Sequence, residues 1–118
     1  MGHLFRGVLM TRAYIAGPIS GLPNGNRAAF DQAAARLMLA GYSVVNPHDI
    51  NAPYPNPTWS EAMRRDIKVM VDCDVIVLLP GWVRSRGALL ERQIAIALGL
   101  RVLDLCDIGV ADELGMPA

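Results

Sequence analysis

Residues 74–80 read DVIVLLP, a run of Val, Ile and Leu that starts after an aspartate and stops at Pro80 and Gly81. A half-solvated strand alternates apolar and polar residues, whereas a short, unbroken apolar run suits a central parallel strand covered on both faces. The residues on either side support that choice. Before the run, Thr58 and Glu61 have capping-box spacing, and Trp59, Met63, Ile67, Met70 and Val71 share one stripe of a helix ending near Asp72. After it, the loop 81–86 leads into GALLERQIAIALG at 87–99, a helix, and RVLDL at 101–105, a strand. Towards the N-terminus, AYIAG at 13–17 predicts a strand and residues 18–25 a turn-rich loop. Asn26 then caps a helix whose apolar positions are Phe30, Ala34, Leu37 and Met38, with Gly41 as its stop. YSVVN at 42–46 is a strand, and the four prolines of residues 47–57 argue against regular structure in the segment that follows. A short helical turn is expected at 111–114.

Strand and helix alternate with short connections, which implies right-handed crossovers and a parallel sheet. The expected fold is therefore α/β: a single-domain three-layer sandwich with a four- to five-stranded, flavodoxin/Rossmann-like sheet of order 2-1-3-4 and helices on both faces. Ligands of such sheets bind outside the carboxyl ends of the strands, where the winding direction reverses. The loops after strands 1, 2 and 3 converge there.

Composition narrows the function classes. The chain has 118 residues, 53% of them hydrophobic, with 11 Lys and Arg against 11 Asp and Glu. That length suits one domain with a core that needs no metal or disulfide. A zero formal net charge argues against a nucleic acid polymer or an anionic membrane as partner, since both require a local excess of cations. Arg64, Arg65 and Lys68 form the densest basic run and read as a solvated helix face. Cys73 and Cys106 lie far apart without metal-ligand spacing, so no metal site is expected and both read as small buried residues of a reduced, cytoplasmic protein. No apolar run reaches membrane-spanning length, and MGHLFRGVLM is too interrupted for a secretory signal. Residues 1–10 are expected to be a flexible lead and 11–118 the folded domain.

Dinucleotide, P-loop, serine-hydrolase and zinc-protease signatures are absent from the sequence. His48 is the one plausible internal imidazole, which leaves carboxylates as the available chemistry, with no cofactor. Glu91 lies in the second turn of the third long helix, at the apolar margin. There the helix dipole stabilises its anion and aims it at the crevice; the other reading is a surface glutamate pairing with Arg86 or Arg92. Asp66 falls between Met63, Ile67 and Met70, within reach of the buried stripe, with an ion pair to Arg64 or Arg65 as its alternative. Tyr14 can offer a phenol to a carboxylate or sit as a satisfied core tyrosine. Asp74, at the opposite end of its strand, suits capping or an ion pair. Ser85, Arg86 and Gly87 open a helix and supply N–H, hydroxyl and guanidinium donors for an anion. Gly17, Pro18 and Ser20 in GPISG allow close approach of a ligand, and Trp82 is either a stacking platform or a packing lid.

Three segments carry a resemblance: YIAGPISG, RRDIKVMVDCDVIVLLP and SRGALLERQIAIALG. Together they resemble the nucleoside 2-deoxyribosyltransferase-like superfamily, which includes the 2'-deoxynucleoside 5'-monophosphate N-glycosidases and small, often phage-related proteins of the DUF4406 type. The latter is the nearest match, through LPGWVRSRGALLE. The resemblance spans about residues 12–105 and implies a glycosyl-transfer site in which Glu91 is the nucleophile, Asp66 the proton donor and Tyr14 the residue that orients Glu91. Such chemistry is sound: a carboxylate stabilises an oxocarbenium-like transition state and can trap the sugar as an ester. Six residues before Glu91, the transferases tend to have an aspartate and the monophosphate hydrolases a phosphate-holding serine. Ser85, beside Arg84 and Arg86, therefore favours a nucleotide. Pro18 departs from that pattern, replacing a phosphate-contacting serine for which Ser20 is a possible substitute. The expected function is an N-glycosidase or N-deoxyribosyltransferase acting on a (deoxy)nucleotide or nucleoside; the alternative is a non-catalytic module that binds or sequesters a nucleotide signal. The resemblance further implies a homodimer or higher homo-oligomer.

Overall fold

The structure, a computed structural model, describes residues 3–5 and 8–108. Two short strands, β1 (His3–Phe5) and β2 (Val8–Met10), pair antiparallel as a ribbon of their own. The remaining chain runs β3 (Arg12–Ala16), α1 (Arg27–Leu39), β4 (Ser43–Val45), α2 (Pro47–Asn51), α3 (Trp59–Met70), β5 (Val75–Leu78), α4 (Arg86–Ala97) and β6 (Arg101–Asp104). Strands β4, β3, β5 and β6 are neighbours in that order and all parallel, which is the expected 2-1-3-4 sheet. All four residues of β5, from the DVIVLLP run, are buried.

Side-chain parity divides the core. Ala13, Ile15, Val75 and Val77 point to one face and pack with Phe30, Ala33, Ala34 and Leu37 of α1. Tyr14, Ala16, Ile76 and Leu78 point to the other, against Met70 of α3 and Ala88 and Ala95 of α4. The three layers follow from that alternation. No helix among the described residues is long and apolar enough to cross a membrane.

Local departures from the sequence expectations have physical causes. Residues 47–51 are helical despite their proline, because Pro47 occupies the first turn, where its missing N–H costs nothing, and Asn46 caps it by accepting from the His48 N–H at 3.0 Å. Asn26 precedes α1 in a left-handed conformation with no side-chain cap, and its amide instead donates to the Pro18 carbonyl at 2.9 Å. Met38 and Val71, placed on buried stripes by periodicity, are exposed, as is Cys106; Cys73 is buried. Asp74 accepts from the Arg12 N–H at 2.9 Å and joins β5 to β3 at the amino end of the sheet. Gly41 has φ +95° with open space around it and ends α1 as a left-handed stop. The helical turn expected at 111–114 lies outside the described residues.

Candidate active site

The winding direction reverses between β3 and β5, and a cavity of about 590 Å³ opens at the carboxyl ends of these strands. The loop after β3 contributes Gly17, Pro18, Ile19 and Ser20; the segment after β4 contributes Pro47; the segment after β5 contributes Arg84 and Ser85. Trp59, Met63 and Asp66 enter from α3, and Arg86, Gly87, Ala88 and Glu91 from α4.

Glu91 is buried, at 4% exposure, and accepts a short hydrogen bond on Oε2 from the Tyr14 hydroxyl. Tyr14 is fully buried and sits on the α3/α4 side of the sheet by the parity of β3. The surface pairing considered for Glu91 is thereby overturned. So is the expected stabilisation of its anion by the helix dipole, because burial dominates and raises its pKa to about 8, with the Tyr14 hydrogen bond pulling the other way and the nearby Asp66 adding to the rise. Burial together with the charges of Glu91 and Asp66 holds the Tyr14 phenol well above its ordinary pKa, so it remains a donor.

Asp66 is also 4% exposed. Its hydrogen bond comes from Asn51, with Nδ2 2.8 Å from Oδ1, and the Arg65 guanidinium donates to the other end of Asn51 at 3.3 Å. Burial raises the Asp66 pKa to about 6, against the lowering effects of Asn51 and Arg65. Glu91 and Asp66 thus line one cavity as two desolvated carboxyls, an arrangement in which a proton is held near neutral pH.

Donors for an anion stand at the start of α4. Ser85 caps the helix, its Oγ accepting from Ala88 N–H at 3.1 Å and lying 3.4 Å from the Gly17 carbonyl. The amides of Arg86 and Gly87 precede the first i→i−4 bond of the helix, which runs from Leu89 to Ser85, and both residues line the cavity. The Arg86 guanidinium lies 3.7 Å over the ring of Trp59, which helps define that wall. Gly87 permits close contact with α3, since a Cβ there would lie 3.1 Å from the Met63 sulfur.

Nine of the ten residues singled out in the sequence either line this cavity or, as Tyr14 does, hydrogen-bond a residue that does. Trp82 is the exception: it packs on the core beside the sheet, with the Arg92 guanidinium 5.0 Å over its ring, and does not line the cavity. The aromatic residues that line it are Trp59 and Phe30. Asn51 was hidden in the proline-rich segment, where the Asn46–Pro47 pair is the available signal for a short helix. Among the described residues no group of acidic, His and Cys side chains is arranged to hold a metal.

No curated protein sequence is similar to this chain. Residues 11–104 match the family described as Domain of unknown function (DUF4406), a span that contains β3 to β6 and every side chain lining the cavity, and the chain belongs to that family.

Proposed function

We propose that the protein is an N-glycosidase or N-deoxyribosyltransferase-like enzyme that releases or exchanges the base of a (deoxy)nucleotide or nucleoside. The observation that carries this reading is the buried Tyr14–Glu91 hydrogen bond on the cavity that Asp66 also lines. A Glu91 carboxylate oxygen attacks the anomeric carbon, the C–N electron pair leaves with the base, and the base nitrogen takes the proton from Asp66. Water, deprotonated by the resulting Asp66 carboxylate, hydrolyses the sugar ester; a second base attacking instead gives transfer. The Arg86 and Gly87 amides, with the Ser85 and Arg86 side chains, are suited to a 5'-phosphate, with Ser20 across the cavity as a further hydroxyl for it and Gly17 and Pro18 beside the ligand.

Proton bookkeeping fits this cycle. Between pH of about 6 and about 8 the two carboxyls hold one proton, resting on Glu91 in the free protein. Moving it to Asp66 is uphill, because burial raises Glu91 further than Asp66. Positive charge developing on the sugar beside Glu91 offsets that cost. Base release is therefore expected to follow a bell with limbs near pH 6 and pH 8, because the doubly protonated pair lacks a nucleophile and the doubly ionised pair lacks an acid.

The test is incubation with deoxynucleoside monophosphates and nucleosides, with chromatography of free base. Glu91→Ala and Asp66→Asn are expected to lose at least about a hundredfold in rate. Absence of base release or exchange from every substrate refutes the enzymatic reading. A second reading has one observation in its favour: a Glu91 that keeps its proton at neutral pH is a hydrogen-bond donor, as suits a module that binds a nucleotide signal without turnover. It requires a nucleotide-induced thermal shift that persists in Glu91→Gln. Self-association belongs to the proposal as well. Exposed Leu89, Ile96 and Leu98 on and after α4 offer apolar surface for it, and light scattering reads the mass.

A further inference from the structure

The strongest unassigned feature is the amide of Asn51, which closes α2 against α3. Both of its N–H groups are engaged: Nδ2 is 2.8 Å from Asp66 Oδ1 and 3.0 Å from the Pro47 carbonyl. Its Oδ1 accepts from Arg65 Nη1 at 3.3 Å. Those three partners fix the orientation of the amide, since a flip would set Oδ1 against two acceptors and the NH2 against a guanidinium. The Pro47 carbonyl lies one helical turn back in the same short helix, which anchors the amide to the backbone. The Arg65 guanidinium is itself held, lying 3.7 Å over the Tyr54 ring.

An NH2 group has no lone pair to accept with, so an oxygen facing it stays an acceptor. We propose that Asn51 is a positioning residue that reserves Oδ1 of Asp66 as an acceptor and leaves Oδ2 as the oxygen that holds the proton and hands it over. The inference deepens the glycosyl-transfer reading and rests on it for the role of Asp66. In the bond-breaking step the Oδ2–H bond breaks, an N–H bond forms on the base, and the C–N pair becomes the base's lone pair. The Asn51 hydrogen bond then stabilises the Asp66 carboxylate that remains, and returns it unchanged in orientation for the water step. Tyr14 performs the equivalent task for Glu91 by reserving Oε2. The charged and titratable groups bearing on Asp66 are Arg65 from its own helix, Glu91 from α4 and Tyr14 from β3, and none of them donates to it directly among the described residues.

The test is Asn51→Leu in the full chain, with Asn51→Ala as a second variant that adds no bulk if leucine is not accommodated. Carboxyl-carbon NMR of Asp66, labelled and followed against pH, reads the proton directly and needs no turnover. In both variants Asp66 is expected to titrate at higher pH than in the unaltered protein, because the donor that favours its anion is gone. In the base-release assay kcat is expected to fall roughly tenfold or more with KM little changed, as for a group that acts through the proton donor. An unaltered Asp66 midpoint in a folded variant overturns the assignment, as does a loss confined to KM. If no protein releases base but the midpoint still moves, the glycosyl-transfer reading fails while the positioning of Asp66 by Asn51 stands.

Discussion

Gly17 shows how one residue couples the core to the cavity. It follows β3, is buried, and lines the cavity opposite the start of α4, whose cap Ser85 reaches its carbonyl. A Cβ at this position would come within 2.7 Å of the Leu79 Cβ, an atom that cannot swing aside because it is fixed to the backbone just after β5. Glycine is needed there for proximity, and the same closeness lets the loop and the helix start share one wall. Gly17→Ala is expected to cost about 1–3 kcal/mol, an overpacking penalty, measured as a lowered urea midpoint with an unchanged slope. From the sequence the glycine reads as a place where a ligand comes close, whereas the close neighbour in the structure is Leu79. That neighbour is not legible there, because Leu79 is brought alongside by strand pairing between segments far apart in the chain.

At the scale of elements, what could be read depended on whether a signal was local. Strands β3 and β5 and helices α1, α3 and α4 were legible from apolar runs, stripes and caps, since those patterns are written within one turn or one pleat. Residues 47–51 are helical where their proline predicts a loop, because a proline in a first turn breaks no helical hydrogen bond. Of the two readings of Trp82, stacking platform and packing lid, the packing one fits: the short 3-10 turn of Trp82–Arg84 sets its ring against the core under Arg92, away from the cavity. The α3 cap is formed as read. Thr58 Oγ1 accepts from Glu61 N–H at 3.1 Å and Glu61 accepts from Thr58 N–H at 2.8 Å. Since this first turn orients the helix that carries Asp66, Thr58→Ala is expected to destabilise by about 1 kcal/mol and lower Tm by several degrees in a thermal melt. A melting temperature equal to that of the unaltered protein would show that tertiary packing alone holds the turn.

The described chain folds around two buried carboxyls, Glu91 and Asp66, to which no cation is bonded among the described residues. Buried, unpaired acids are unfavourable as anions, and a chain selected for folding alone has apolar side chains of the same size available at these places. The two carboxyls stand at the carboxyl end of a parallel sheet, where Asn46 is the other buried polar side chain among the described residues, and this contrast with the apolar core is the physical ground for placing the proposed chemistry there. A consequence is measurable without any substrate. Both groups have folded-state pKa values raised above their ordinary ones, Glu91 from 4.5 to about 8 and Asp66 from 3.8 to about 6. The folded state therefore binds more protons than the unfolded state across that range, and stability falls as pH rises. The stabilising share is fully present below about pH 4, declines through pH 6 as Asp66 ionises, and is gone above about pH 8. Over the full interval the loss is of order several kcal/mol, most of it from Glu91, whose shift is the larger. Glu91→Gln keeps an acceptor for the Tyr14 hydroxyl and removes the charge. It is expected to match the unaltered protein in urea unfolding at pH 4.5 and to exceed it at pH 9, the two curves separating between those limits. A Glu91→Gln protein no more stable at pH 9 than the unaltered one would mean that Glu91 is solvated or paired as an anion, and that the buried, proton-holding nucleophile of the proposed cycle is absent.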